Sequence, residues 1–186
     1  MFRPIIAALL LAFPTGAAFA QAAETGNWVV GTMLNGCMVQ AVSPEGTMLS
    51  VWGVAGDEKL GFLLQNKGWN ALRDGARYDL KLDFLGVSSL PVKATARRDI
   101  DSDGPGFYFQ LQPGGSRGKA FMDAFSTAQG MRISQAGKKV DTLSLAGSKD
   151  AMSALARCLA DKWAEAPDAE PAQPAEAPTG DAPAVI

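Results

Sequence analysis

The chain has 186 residues, 47% of them hydrophobic, with 17 basic and 19 acidic side chains, a net charge of −2 and no histidine. Without histidine, no Ser-His-Asp or Cys-His catalytic arrangement and no imidazole-ligated zinc or copper site can be built. No segment carries the run of basic residues that follows a nucleic-acid backbone, so nucleic-acid binding is not expected.

Residues 1–20 have the three regions of a secretory signal peptide. Arg3 supplies the positive start, Ile5 to Phe13 the apolar run, and Ala18-Phe19-Ala20 the small-x-small cleavage pattern. Pro14 and Gly16 interrupt the run well short of the roughly 20 apolar residues that a membrane span needs. The mature chain is therefore expected to begin near Gln21 in the periplasm or outside the cell, with no membrane span after cleavage.

A single domain is expected over residues 21–163. Trp28-Val29-Val30 and Cys37 to Val42 read as strands joined across Asn35-Gly36, followed by a turn at Ser43-Pro44-Glu45-Gly46. Thr47 to Val54 is a further strand. Leu60-Gly61-Phe62-Leu63-Leu64 is apolar throughout, as in a strand buried on both faces. Between Lys67 and Gly75, Trp69 and Leu72 predict one helical turn pinned to the core.

Tyr78, Leu80, Leu82 and Phe84 alternate with Asp79, Lys81 and Asp83, so this strand has one face in the core and one in water. Val92 to Arg98 reads as its neighbour, and Phe107, Phe109 and Leu111 repeat the alternation after an acidic loop. Phe121, Met122 and Phe125 predict a short helix. Met131, Ile133, Val140, Leu143 and Leu145 form a hairpin about Ala136-Gly137.

The last ordered element is the one on which the others converge. Ala151, Met152, Leu155, Cys158, Leu159 and Lys162 recur at helical spacing from Ser148 to Trp163, with Ser148 as N-cap and Asp150 in the first turn. The only other cysteine is Cys37. Two cysteines in an exported chain predict one disulfide, Cys37–Cys158, tying the last helix to the first strands. From Ala164 to Ile186 there are five acidic residues, no basic one and repeated prolines, so residues 164–186 are expected to be a disordered Pro/Ala/acidic tail. About eight strands with frequent turn signals point to a mainly β fold. It is an antiparallel β-sandwich or partly open barrel with a C-terminal helix, the alternative being an α+β roll.

Three residue patterns bear on chemistry. Ser116-Arg117-Gly118-Lys119 has the Ser-x-x-Lys spacing in which a lysine at the start of a helix activates a hydroxyl for acyl transfer. Its companion motifs are missing from the chain, and a solvated glycine-rich loop is the plainer reading. Asp99, Asp101 and Asp103, followed by Gly104, match the opening of a calcium loop, but Gln110 stands where the bidentate glutamate belongs. A solvated hairpin tip is the competing reading, and no bound metal or cofactor is expected. Trp28, Trp52, Trp69 and Trp163 are assigned to core and rim packing, with no pocket named from them.

Trp28-Val29-Val30 with Cys37, the central Leu60-Gly61-Phe62-Leu63-Leu64 with Gly75, and Leu143-Ser144-Leu145-Ala146-Gly147 with Ala151 and Leu155 together resemble the invasion-associated locus B family. The resemblance implies a small, β-rich, secreted or periplasmic protein of alphaproteobacterial type, linked with host-cell invasion and without established catalytic residues. Members of that family carry additional cysteines in their first half, which this chain lacks. The function expected is a non-catalytic binding or structural module of the cell envelope that engages a protein or other envelope component. A small serine hydrolase or acyl-transfer enzyme using Ser116 and Lys119, or an inhibitor of a periplasmic enzyme, is the alternative.

Overall fold

The protein is described by a computed structural model for residues 24–25, 28–98 and 103–165. Residues 1–20, where a signal peptide is expected, and the chain after 165 lie outside the described residues, as do Asp99 and Asp101. Ten strands form one antiparallel sheet: β1 (Glu24–Thr25), β2 (Trp28–Met33), β3 (Gly36–Val42), β4 (Met48–Val54), β5 (Leu60–Gln65), β6 (Arg77–Phe84), β7 (Ser88–Arg97), β8 (Gly106–Leu111), β9 (Gly130–Gln135) and β10 (Lys138–Ser144). Among the described residues two helices, α1 (Ser116–Thr127) and α2 (Ser148–Glu165), accompany these strands. The mainly β fold with a C-terminal helix is thus what the sequence pattern implies.

Strands β1 to β5 form a simple meander, after which the order becomes β8-β7-β6-β9-β10. The two halves are joined weakly. Only Thr95, Ala96 and Arg97 of β7 pair with β8, whereas all eight residues of β6 pair with β7. Where β7 and β8 part, the Arg117 guanidinium at the start of α1 donates to the Pro91 carbonyl. This carbonyl belongs to a strand segment that has no β8 residue opposite it.

The outer ends of the sheet approach each other across a seam. The Trp28 indole N–H donates to the Ala146 carbonyl at 3.1 Å, and the Ser43 hydroxyl donates to Asp141 Oδ2 at 3.0 Å, although 98 residues separate that second pair. Ser43 Oγ also accepts the Thr47 N–H, and Asp141 Oδ1 accepts the Thr142 N–H, so this buried polar cluster is satisfied on both sides. Asp141 follows a β-bulge in β10, which sets it opposite Ile133 and on the same buried side as Leu143. One curled sheet with bridged ends is therefore the partly open barrel form of the expected fold.

The helices fill the inner face. Phe121 of α1 meets Phe62 and Phe84 edge-on at 4.8 and 5.3 Å, and Phe125 meets Trp28 at 5.6 Å. Strand β5 is buried along its whole length, as its unbroken apolar run predicts. Helix α2 lies across β2, β3 and β4, with Ala151, Met152 and Leu155 buried. Cys37 and Cys158 are bonded, with Cα atoms 6.1 Å apart.

Several local expectations change. The β2–β3 turn is Leu34-Asn35, because Met33 pairs with Gly36. Gly36 serves a different purpose: a Cβ there would run into the Gly53 carbonyl of β4, so glycine permits the close strand approach. Ser148 does not cap α2, since its hydroxyl donates at 2.6 Å to the Phe125 carbonyl in the last turn of α1. It thereby satisfies a carbonyl that the end of α1 leaves without a helical partner. Residues 67–76 form successive turns in place of a helical one, with Trp69 against Phe107 and Leu72 buried. The hairpin about Ala136-Gly137 is as expected, both residues adopting positive φ (48° and 77°). Helix α2 continues to Glu165, two residues past Trp163.

Two measurements test this account. Cys37→Ala and Cys158→Ala should each cost about 2–5 kcal/mol in denaturant melts, and the double variant should cost no more than either single one, because both remove one interaction. Ser43→Ala leaves a buried carboxylate oxygen without its donor and should cost about 1–3 kcal/mol in the same assay; a loss near zero would show that the seam contributes nothing to stability.

Candidate functional site

Ser116 and Lys119 lie in the first turn of α1, where the Ser-x-x-Lys pattern places them, and both are exposed. No hydrogen bond joins them among the described residues. Between them Gly118 is buried, and a Cβ at that position would overlap the Gln112 carbonyl oxygen. The glycine therefore has a packing reason that is independent of any chemistry at Ser116.

The acidic loop connects β7 to β8, which are adjacent antiparallel strands, so it is a hairpin connection. Asp103 is half-buried, and next to it the Gly104 carbonyl accepts the Gln65 side-chain N–H at 3.1 Å. Gln110 is on β8, opposite Gly61 of β5. The four tryptophans are spread over the fold. Trp28 is in the core, Trp69 packs on Phe107, and Trp163 is 62% exposed beside Gly56 at the far end of α2. Only Trp52 points from the middle of the sheet to the side opposite the helices.

That outer face carries the most organised set of exposed side chains. Trp52 of β4 is paired with Gly61 of β5, and a Cβ on Gly61 would penetrate the indole ring, so the ring lies directly over the bare strand. Tyr108 of β8 is beside it, with ring centroids 5.8 Å apart and planes 20° from parallel. Both residues are half-buried, and the Trp52 ring has one face on the sheet. Burial pushes the Tyr108 hydroxyl pKa up, the nearby Arg97 and a hydrogen bond from Gln110 oppose that shift, and Asp57 adds to it.

Beyond the rings the face becomes charged. Strand alternation turns Arg77, Asp79, Lys81 and Asp83 of β6 outwards, together with Lys93 and Arg97 of β7. Register places Arg132 next to Asp83 and Lys139 two strands from Lys81. Lys93 is paired with Asp79 and Lys81 with Asp83, both at 2.7 Å. Lys81, Arg132, Ser134, Lys139 and Thr142 border an open depression of about 490 Å³. The hydrogen bonds from Lys81 and Ser89, with the Lys81 and Arg132 charges, hold the Asp83 carboxyl below the usual aspartate range against a smaller opposing effect of burial.

None of this was visible in the sequence as a site. The cations of this face come from four strands that are scattered along the sequence. A weak signal existed in Trp52 and Tyr108, polar-face aromatics in strands whose other face is already apolar.

Among the described residues no helix is long and apolar enough to cross a membrane. Comparison with protein families, with curated proteins and with solved structures gives no match for this chain.

Gly61→Ala should displace the Trp52 ring, costing roughly 1–3 kcal/mol of stability and shifting tryptophan fluorescence to the red; an unshifted spectrum would mean that the ring does not rest on Gly61. Asp83 gives a pH test. Its folded pKa is depressed, so its contribution to stability is present above the unfolded value near ~4 and is lost as pH falls through the folded pKa. The stability difference between the native protein and Asp83→Asn should therefore shrink as the pH is lowered below about 4, from a small value typical of exposed pairs, ~0.2–1 kcal/mol.

Proposed function

We propose that the protein is a non-catalytic binding or structural module of the bacterial cell envelope, exported to the periplasm or secreted. In this reading it has a role like that of the invasion-associated locus B family, which its short apolar motifs resemble. The observation that carries the proposal is the Cys37–Cys158 disulfide in a chain with no histidine. The bond removes both thiols from chemistry and suits an oxidising compartment, and the leader at residues 1–20 points the same way. Ser116 and Lys119 remain as the only acyl-transfer pair that the sequence offers, and both side chains face solvent without a hydrogen bond between them. A binding module, in contrast, needs only a displayed surface, and the outer sheet face provides one on hydrogen-bonded strands.

Two experiments divide the readings. Incubation with a serine-reactive phosphonate and with a β-lactam probe should leave the protein unlabelled in mass spectrometry, whereas covalent modification of Ser116 would replace this proposal with the acyl-transfer enzyme. Crosslinking in the periplasm followed by purification of the full chain should recover a defined envelope component. Recovery of the uncrosslinked protein alone would count against a binding role.

A further inference from the structure

The outer face combines two features that strand pairing alone brings together. At one side, the Trp52 and Tyr108 rings are near-parallel, the Trp52 ring lying over Gly61. At the other, Arg77, Arg97, Arg132 and Lys139 have no ion-pair partner among the described residues, whereas Asp79 and Asp83, the acidic residues of β6, are already paired with Lys93 and Lys81. The face therefore keeps more cations than acids next to an aromatic platform, with Asp57 the acid that acts on Tyr108. Such an excess attracts anions and raises their local concentration.

The arrangement also has a length. From Trp52 on β4 to Lys139 on β10 the path crosses β5, β8, β7, β6 and β9. At about 4.8 Å per strand that is about 30 Å along the surface. A small ligand would use an enclosed pocket that buries most of its surface. Here the surface is open and its groups are spread over seven strands, which suits an extended ligand with many units.

We propose that this face, from the Trp52 and Tyr108 rings across to Arg132 and Lys139, binds an acidic polysaccharide that carries carboxylates along its chain. The C–H face of a sugar ring lies against an aromatic ring while its hydroxyls stay in water, which matches half-buried Trp and Tyr rings. Gln110, beside Tyr108, is placed to hydrogen-bond a sugar hydroxyl. Arginine side chains bind carboxylates in bidentate fashion, and Arg77 and Arg97 flank the path on one side and Arg132 on the other. Ser134 and Thr142, between the cations at the far end, offer further hydroxyls. An acidic peptide would satisfy the cations but has no sugar face for the rings, and a neutral glycan would leave the cations unused.

This inference rests on the reading of the protein as a binding module, and the two can fail separately. Isothermal titration of the full mature chain with polygalacturonate at about 0.1 M salt should show binding that weakens strongly at about 1 M, where the screening length falls from about 10 Å to about 3 Å. Trp52→Ala should weaken binding by roughly tenfold, the scale of one aromatic contact with its buried area. The double variant Arg132→Gln/Lys139→Gln changes only exposed side chains, keeps the melting temperature, and should weaken binding several-fold with a smaller salt dependence. Dextran, polyglutamate, single-stranded DNA and anionic phospholipid vesicles should all bind far less. The proposal is overturned by no heat of binding with polygalacturonate, by unchanged affinity in both variants, or by equal binding of any of those four controls. If crosslinking still recovers an envelope component in that event, the glycan assignment falls alone; if it does not, the binding-module reading falls with it.

Discussion

The docking of α2 on the first strands is the contact that holds the two ends of this chain together. It consists of one covalent bond, Cys37–Cys158, and an apolar stripe of Ala151, Met152 and Leu155 pressed onto β2, β3 and β4. Small residues let the helix come close. Gly53 leaves the space occupied by the Leu159 side chain, and Gly56 does the same for Trp163. The Ser148 hydroxyl bonds to the Phe125 carbonyl, so the start of α2 is tied to the end of α1. Through Phe121 and Phe125, α1 in turn packs against both halves of the sheet, at Phe62 and Trp28 on one side and Phe84 on the other. A sheet joined in its middle by only three residue pairs thus depends on its inner helices to keep the halves in register with each other.

Elements with strong local periodicity could be read from residue order. The alternation of Tyr78 to Phe84, the helical stripe of α2 and the positive-φ turn at Ala136-Gly137 each follow from chemistry within a few residues. Features determined by distant neighbours could not. Asn35-Gly36 resembles a turn pair, but Gly36 is needed where β3 meets the Gly53 carbonyl, and the turn moves back by one residue. Ser148 has the chemistry of a cap, yet a carbonyl 23 residues earlier competes for its hydroxyl and wins. The two-residue β1 is too short for any pattern, and its existence is decided by pairing with Trp28 and Val29.

The same distinction explains why the outer face was hidden. In the sequence Trp52, Tyr108, Arg77 and Lys139 are unrelated, and the domain as a whole has nearly balanced charge. Antiparallel pairing sorts those charges by side: apolar residues of β6 and β7 go inwards, and Arg, Lys and Asp go outwards. Because the strand order departs from the chain order after β5, residues of β6 and β9 become neighbours although 45 or more positions separate them. A charge count along the chain averages over both faces, whereas a partner meets only one.

The distance between the two cysteines along the chain also orders events during synthesis. Cys37 appears early, in a five-strand meander that can pair locally as it emerges, but its partner follows 121 residues later, in the final helix. Until then the inner faces of β2 to β4 lack α2 to cover them. The thiol of Cys37 must meanwhile stay reduced or be held by another thiol. Covalent closure is therefore the last step open to the chain, and it reports that every earlier strand has already arrived.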